Sequence, residues 1–223
     1  MSRTVVGLFR DAREAEAVVN DLAESGFSKG DVSLVVKQSG GQILESPESK
    51  EADVSTSAGA GAALGGAAGL LLGLAALALP GIGPIVAAGP LAAALTGAGV
   101  GAAAGGMLGA LSEMGVPESE AGHYAEGIKR GGTLVVVRAD GDGAEKALAI
   151  LNRHGAVDVD ERAESWKKTG WSGFDPHSEP QTYGSEGSPS DWGRTTISDT
   201  RRAAARVYRR DFGRETGSKS NHP

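Results

Sequence analysis

Cysteine is absent from the 223 residues. That excludes disulfides, thiolate nucleophiles and thiolate metal ligands. Aromatic residues make up only 4% of the chain, so any core must be built mainly from aliphatic side chains. Positive charge is in deficit. The formal net charge of −6 disfavours nonspecific nucleic-acid binding by the whole molecule. The opening MSRTVVGLFRD reaches an acidic residue before any long apolar run. It does not read as a secretory signal, and a cytoplasmic N-terminus is expected. The largest gap is internal: residues 54–112 contain no Asp, Glu, Lys or Arg.

The signatures of catalysis are also missing. The histidines His123, His154, His177 and His222 form no i, i+3 or i+4 pair, the usual helical spacing of metal ligands. His123 and His154 read as surface or helix-end residues. DGDG at Asp140–Gly143 lacks the further ligands of a calcium loop, and Leu151 stands where the terminal Glu would be. It reads instead as a strand-to-helix turn with Asp142 as cap and Glu145 three residues on. No GxxxxGK[ST] phosphate loop and no G-x-S-x-G elbow occur. No catalytic, cofactor-binding or metal-binding residue is therefore expected, and the chain reads as a non-enzyme.

What is present is a split repeat. TVVGLFRDAREAEAVVNDLAESGF starts at Thr4, and TLVVVRADGDGAEKALAILNRHGA starts at Thr133. Asp11 falls on Asp140 and Gly26 on Gly155. Ala15, Val18, Val19 and Leu22 match Ala144, Ala147, Leu148 and Leu151, each set spaced as one apolar face of a helix. A β-branched apolar run precedes each helix, and a Gly suited to a left-handed cap ends it. A second strand follows in each copy: Asp31–Lys37, and VDVDER at Val157–Arg162, whose acids suit an edge. Two strand–helix–strand units predict an α+β, ferredoxin-like sheet with both helices on one face and the first strands central. An RNA-binding sheet of this topology would stack bases on exposed aromatics. The central strands TVVGLF and TLVVVRA offer only Phe9.

The halves, 1–53 and 115–162, are separated by the uncharged insert 54–114. Its apolar runs Ser57–Leu79 and Ile85–Leu111 flank a turn containing Pro80, Gly81, Gly83 and Pro84. As helices they would be roughly 34–40 Å long at 1.5 Å per residue, enough to cross a bilayer core. Gly61, Gly65, Gly69 and Gly73 recur every fourth residue, as do Gly97, Gly101, Gly105 and Gly109. Small residues at that spacing let helices approach closely in lipid. The insert thus reads as a Gly-zipper helical hairpin. It would embed in the inner membrane with both termini cytoplasmic, or else form the core of a soluble oligomer. Lipid and self-association are the partners it implies. A short helix with Pro117 in its first turn, and with Ala121, Tyr124, Ala125 and Ile128 on one face, leads back to the sheet.

Residues 163–223 read as a mostly disordered tail. Trp166, Trp171 and Phe174 stand among polar residues there. Arg201, Arg202, Arg206, Arg209 and Arg210 lie in a segment, 195–214, with the pattern of a basic amphipathic helix. Contact with anionic lipid, nucleic acid or an acidic partner is what such a helix would offer.

The layout resembles the general stress protein 17M-like family of bacteria over residues 4–162. The resemblance rests on PGIGPIVAAGP and on the stretch Gly115–Val137, GVPESEAGHYAEGIKRGGTLVVV. It implies a bacterial stress-response protein acting structurally or by recruiting a protein partner, and it supplies no catalytic residues. A soluble oligomeric regulatory or ligand-binding module is the alternative reading. If the stripes pack helices, Gly65→Leu and Gly101→Leu are expected to change oligomer size and membrane fractionation.

Overall fold

The computed structural model describes residues 2–37, 75–79, 82–97, 106–177 and 204–209. The chain is a mixed helix-and-strand protein built on one antiparallel sheet. In chain order the strands are β1 (Ser2–Phe9), β2 (Val32–Lys37), β3 (Ala75–Leu79), β4 (Gly83–Ala88), β5 (Thr133–Asp140) and β6 (Arg206–Arg209). Their order across the sheet is β3-β4-β2-β5-β1-β6, and every neighbouring pair is antiparallel. The helices are α1 (Ala12–Glu24), α2 (Pro90–Gly97), α3 (Gly106–Glu113), α4 (Glu118–Lys129), α5 (Gly141–Arg153) and α6 (Val159–Lys168).

The first strands of the two repeats lie side by side in the interior of the sheet. β1 and β5 pair along their full lengths, from Ser2 opposite Asp140 to Phe9 opposite Thr133. Successive side chains of a strand point to opposite faces, and here both faces are covered. Val5, Phe9, Val135 and Val137 pack under α1 and α5 with Ala15, Val18, Leu22, Ala144, Ala147 and Leu151. Val6, Leu8, Leu134 and Val136 pack under the other layer with Leu91, Leu111, Tyr124, Ile128 and Trp166. This explains why VVGLF and LVVV are apolar without alternation: burial on both faces leaves no position for a polar side chain.

The repeat helices form where their spacing predicts, with one difference: Leu148 is only half-buried, and Ile150 is buried with Ala144, Ala147 and Leu151. Asp11 caps α1, its carboxylate accepting from the Arg13 and Glu14 amides at 2.9 and 3.0 Å. Ala15, Val18, Val19 and Leu22 are all buried. Between α1 and α5, Asp21 accepts from Arg153 and meets His154 Nε2 at 2.8 Å. The His154 hydrogen bond and then that of Arg153 hold the Asp21 carboxyl below its ordinary range. His154 is at a helix end, as expected. The predicted Asp142 cap is corrected: α5 begins at Gly141, directly from β5, and Asp140 occupies the cap position without a side-chain hydrogen bond.

Three larger expectations are overturned. The turn around Gly83 and Pro84 does not join two helices. Residues 75–79 and 83–88 are strands of a β-hairpin, closed by the Ile82 amide donating to the Leu79 carbonyl and by Gly83 at φ +95°. The cause is tertiary: β2 has a free edge, and β4 fills it from Leu34 opposite Ala88 to Lys37 opposite Ile85. Second, VDVDER is not a strand. Only Val157 bridges to Leu8, after which Asp158 caps α6 through the Asp160 and Glu161 amides. Val159, Ala163 and Trp166 then form a buried helical face that VDVDER alone does not reveal. Third, the domain does not stop at 162. α6 and the segment to His177 pack onto it, and 206–209 form β6 rather than part of a helix.

The stripe residues divide. Gly61, Gly65, Gly69, Gly73, Gly101 and Gly105 lie outside the described residues, as do Pro80 and Gly81. Gly97 closes α2. Gly109 lies in α3, and no described atom comes within 4 Å of where its Cβ would stand. Among the described residues no helix is long and apolar enough to cross a membrane.

Close approach crowds a Cβ at Gly7, Gly127 and Gly89; at Gly7 it would meet Leu151 Cδ2 at 2.8 Å. At Gly127 an added Cβ would meet Leu8 Cδ2 at 2.5 Å, where α4 crosses β1. At Gly89, with φ +79°, it would stand 2.1 Å from the Val32 carbonyl oxygen. Gly89 lets α2 start against β2, where the Leu91 amide donates to Ser33 Oγ at 3.0 Å. Gly89→Ala therefore meets both a backbone clash and a left-handed conformation. It is expected to lose about 2–3 kcal/mol or more in urea unfolding, whereas Gly131→Ala, with open space around it, pays for its positive φ alone.

Candidate functional site

The densest polar constellation lies where α4, α6 and β6 meet. α4 presents Glu120, His123 and Tyr124, spaced i, i+3, i+4 on one side. α6 contributes Asp160 and its cap Asp158. β6 contributes Arg206 and Tyr208, two residues apart and so on one face of the strand.

Arg206 is the hub. Its Nη1 donates to Glu120 Oε2 at 2.8 Å, and its Nη2 lies 2.7 Å from Asp160 Oδ2 and 3.4 Å from Asp158 Oδ1. Tyr208 donates to the same Glu120 oxygen at 2.5 Å. Its only proton is thereby used, so at the 3.1 Å contact between the two phenols Tyr124 is the donor. His123 Nδ1 meets the other Asp160 oxygen at 3.0 Å. Just beyond the strand, Asn152 Oδ1 accepts from the Ala204 and Ala205 amides, both at 2.9 Å.

The charges are fixed by these contacts. Burial pushes the Arg206 pKa down, but hydrogen bonds to Asp160 and Glu120 outweigh it and raise it, so the guanidinium stays charged. Burial likewise pushes Asp160 up, and the Arg206 hydrogen bond and charge, with help from His123, bring it below the ordinary carboxylate range. Burial raises both tyrosines, keeping them neutral. The cluster is thus a lock on β6, with one guanidinium shared among three carboxylates.

Beside it opens a cleft of about 320 Å³, between α4 and the loop after α6. Leu108, Glu118, His123, Lys167, Trp171 and Phe174 are among its lining residues. Trp171 packs edge-on to Trp166 at 5.8 Å and lies 5.6 Å from the His123 ring. The Arg130 guanidinium sits 5.0 Å over Trp166. The Trp171 indole Nε1 is buried and has no hydrogen-bond partner among the described residues. Among those residues no cluster of three or more His, Asp or Glu is placed to hold a metal ion.

Of the arginines singled out in the sequence, Arg206 enters this site. Arg209 is exposed at the end of β6, and Arg201, Arg202 and Arg210 lie outside the described residues. His123, expected at the surface, is half-buried in the middle of α4. Sequence reasoning missed Glu120, Asp160 and Tyr208 as one unit. Tyr124 was legible as core, and a tyrosine on an apolar face signals a phenol that needs a partner. No protein-family model matches the chain, and comparison with curated proteins and with solved structures likewise finds no match.

Arg206→Ala leaves three carboxylates facing one another. It is expected to cost about 1–3 kcal/mol, between the limits for exposed and buried pairs, and to raise amide exchange along β1. The pH dependence follows from Asp160. Its pKa is depressed on folding, so its contribution is complete above the unfolded value of about 3.9 and fades as pH falls through the lower folded value. Asp160→Asn should therefore flatten the acid limb of stability below about pH 4, measured as urea midpoints at successive pH values.

Proposed function

We propose that this chain is a non-enzymatic binding module of ferredoxin-like type, with the role in bacterial stress response that its resemblance implies. The β2-β5-β1 order supports the ferredoxin-like reading. So does the sharing of the next edge position between the Val157 bridge and β6. The polar cluster supports binding over catalysis, because its charged groups are spent on one another and on holding β6.

The observation that carries this reading is the cleft itself, about 320 Å³ and lined by the Trp171 and Phe174 rings beside charged side chains. Glu118 and Lys167 line the same cleft, so a small molecule carrying both charges suits it. Thermal unfolding with each common L-amino acid, and with singly charged amines and carboxylates as controls, tests the reading. At ten times Kd a ligand of the folded state adds about 1.4 kcal/mol. A zwitterion is expected to raise Tm, and Glu118→Gln/Lys167→Met, which removes both cleft charges, should abolish the rise. No shift with any zwitterion would refute it.

Membrane association through residues 57–74 is the second reading. That run carries no charge and lies outside the described residues. Carbonate extraction of the full chain decides it: retention in the pellet supports an anchor, and release opposes one.

A further inference from the structure

The outer edge of β1 is occupied in an unusual way. At Leu8 it meets only the single bridge to Val157. From Val6 back to Arg3 it is filled by β6, with Val6 opposite Arg206, Val5 opposite Val207, Thr4 opposite Tyr208 and Arg3 opposite Arg209. β6 is not delivered by a tight turn. Residues 178–203 stand between it and the body of the domain in sequence.

Its contacts have the form of recognition of an extended peptide. The ladder to β1 binds backbone and is indifferent to sequence, as in strand addition at a sheet edge. Three sockets add selectivity. The Asn152 amide oxygen grips two successive backbone N–H groups, at Ala204 and Ala205, whose side chains are nearly buried. Glu120, Asp158 and Asp160 surround a guanidinium from more than one side, a geometry an arginine fork satisfies and a lysine ammonium does not. Tyr124 and Glu120 together receive a phenol two residues further on. None of the three sockets belongs to β6. All are built by α4, by α5 and by α6 with its cap Asp158.

We propose that the β1 edge, with these sockets, is a binding groove for an extended segment of a partner protein that carries two small residues, then arginine, an apolar residue and tyrosine, the apolar side chain packing as Val207 does against the core under α1 and α5. The chain's own 204–209 segment fills this groove as a tethered stand-in. The vacated groove would expose a strand edge beside three carboxylates, so it favours occupation by a basic strand over remaining empty. The tether sets the threshold. A segment of the same chain competes at an effective concentration that no dilution lowers, so a partner strand must bind well to displace it. This inference does not depend on the cleft ligand proposed above.

The test uses the full chain and a fluorescent peptide with the sequence of residues 200–212, TRRAAARVYRRDF. Wild-type chain should bind the peptide weakly, because its own strand competes. The full-length double variant Arg206→Ala/Tyr208→Phe keeps every socket but weakens the stand-in, and should bind at least tenfold more tightly by anisotropy. A peptide with Arg206→Glu and Tyr208→Phe should not bind. A folded double variant that binds no better than wild type overturns the proposal, as does equal binding of the altered peptide. Should the double variant fail to fold, a protease site placed within 178–203 of the otherwise wild-type chain gives the second measurement. After cleavage the C-terminal fragment should stay bound and be released by excess unlabelled peptide. Failure of the peptide to release it would equally refute displacement.

Discussion

Burial of β1 and β5 on both faces is the constraint on which the rest of the architecture depends. A strand with one wet face can use polar residues to mark its orientation. Val5, Val6, Leu8 and Phe9 cannot, and neither can Leu134 to Val137. Removing each such side chain from water is worth roughly 1.5–3 kcal/mol, but only if two separate layers exist to receive them. α1 and α5 are one layer, supplied by the repeat itself. The other is assembled from elements outside the repeat: α2 and α3 come from the insert, α4 from the stretch between it and the second repeat, and α6 from the end of the second half and beyond. The insert is therefore a structural requirement of the strands on either side of it, at least where it is described.

That requirement also accounts for the polar seam. The second layer reaches the outer edge of β1 at α4 and α6, and there the burial of backbone must be completed by a strand. β6 completes it with residues whose side chains bear charge. Thr4 helps on the inner side of the same corner, donating to the Met114 carbonyl at 2.7 Å. Half-burial makes the Arg206 contacts stronger than surface pairs and cheaper to dissolve than a sealed ion pair. A contact of that intermediate kind suits an element that holds firmly and still exchanges.

Local signals in the sequence were reliable where one helix face decides the outcome. The Ala15–Leu22 and Ala144–Leu151 spacings placed both repeat helices, and Ala121, Tyr124, Ala125 and Ile128 placed α4. Signals failed where a distant partner decides. Residues 75–79 and 83–88 are uncharged and lie among many Ala and Gly residues, and only the open edge of β2 makes them strands. Asp158 and Asp160 read equally well as the polar face of an edge strand and as the cap and first turn of a helix. Trp166 on the buried face of α6 settles the matter, and it stands beyond the six residues of VDVDER. Arg206-Val-Tyr208 is too short to reveal a period of two inside an arginine-rich stretch. The candidate site was accordingly almost invisible: its members come from four separate parts of the chain, and none forms a motif alone.

The placement of β1 between β5 and β6 has a consequence for synthesis. Ser2–Phe9 is synthesised before either of its neighbours in the sheet, residues 133–140 on one side and residues 206–209 on the other. Every long-range pairing of β1 thus waits for chain made much later, and contacts so distant in sequence form slowly. Throughout that interval an apolar strand with two bare edges is exposed to anything that pairs with strands. The emerging protein needs chaperone cover over β1 from the moment that strand is made until β6 follows it.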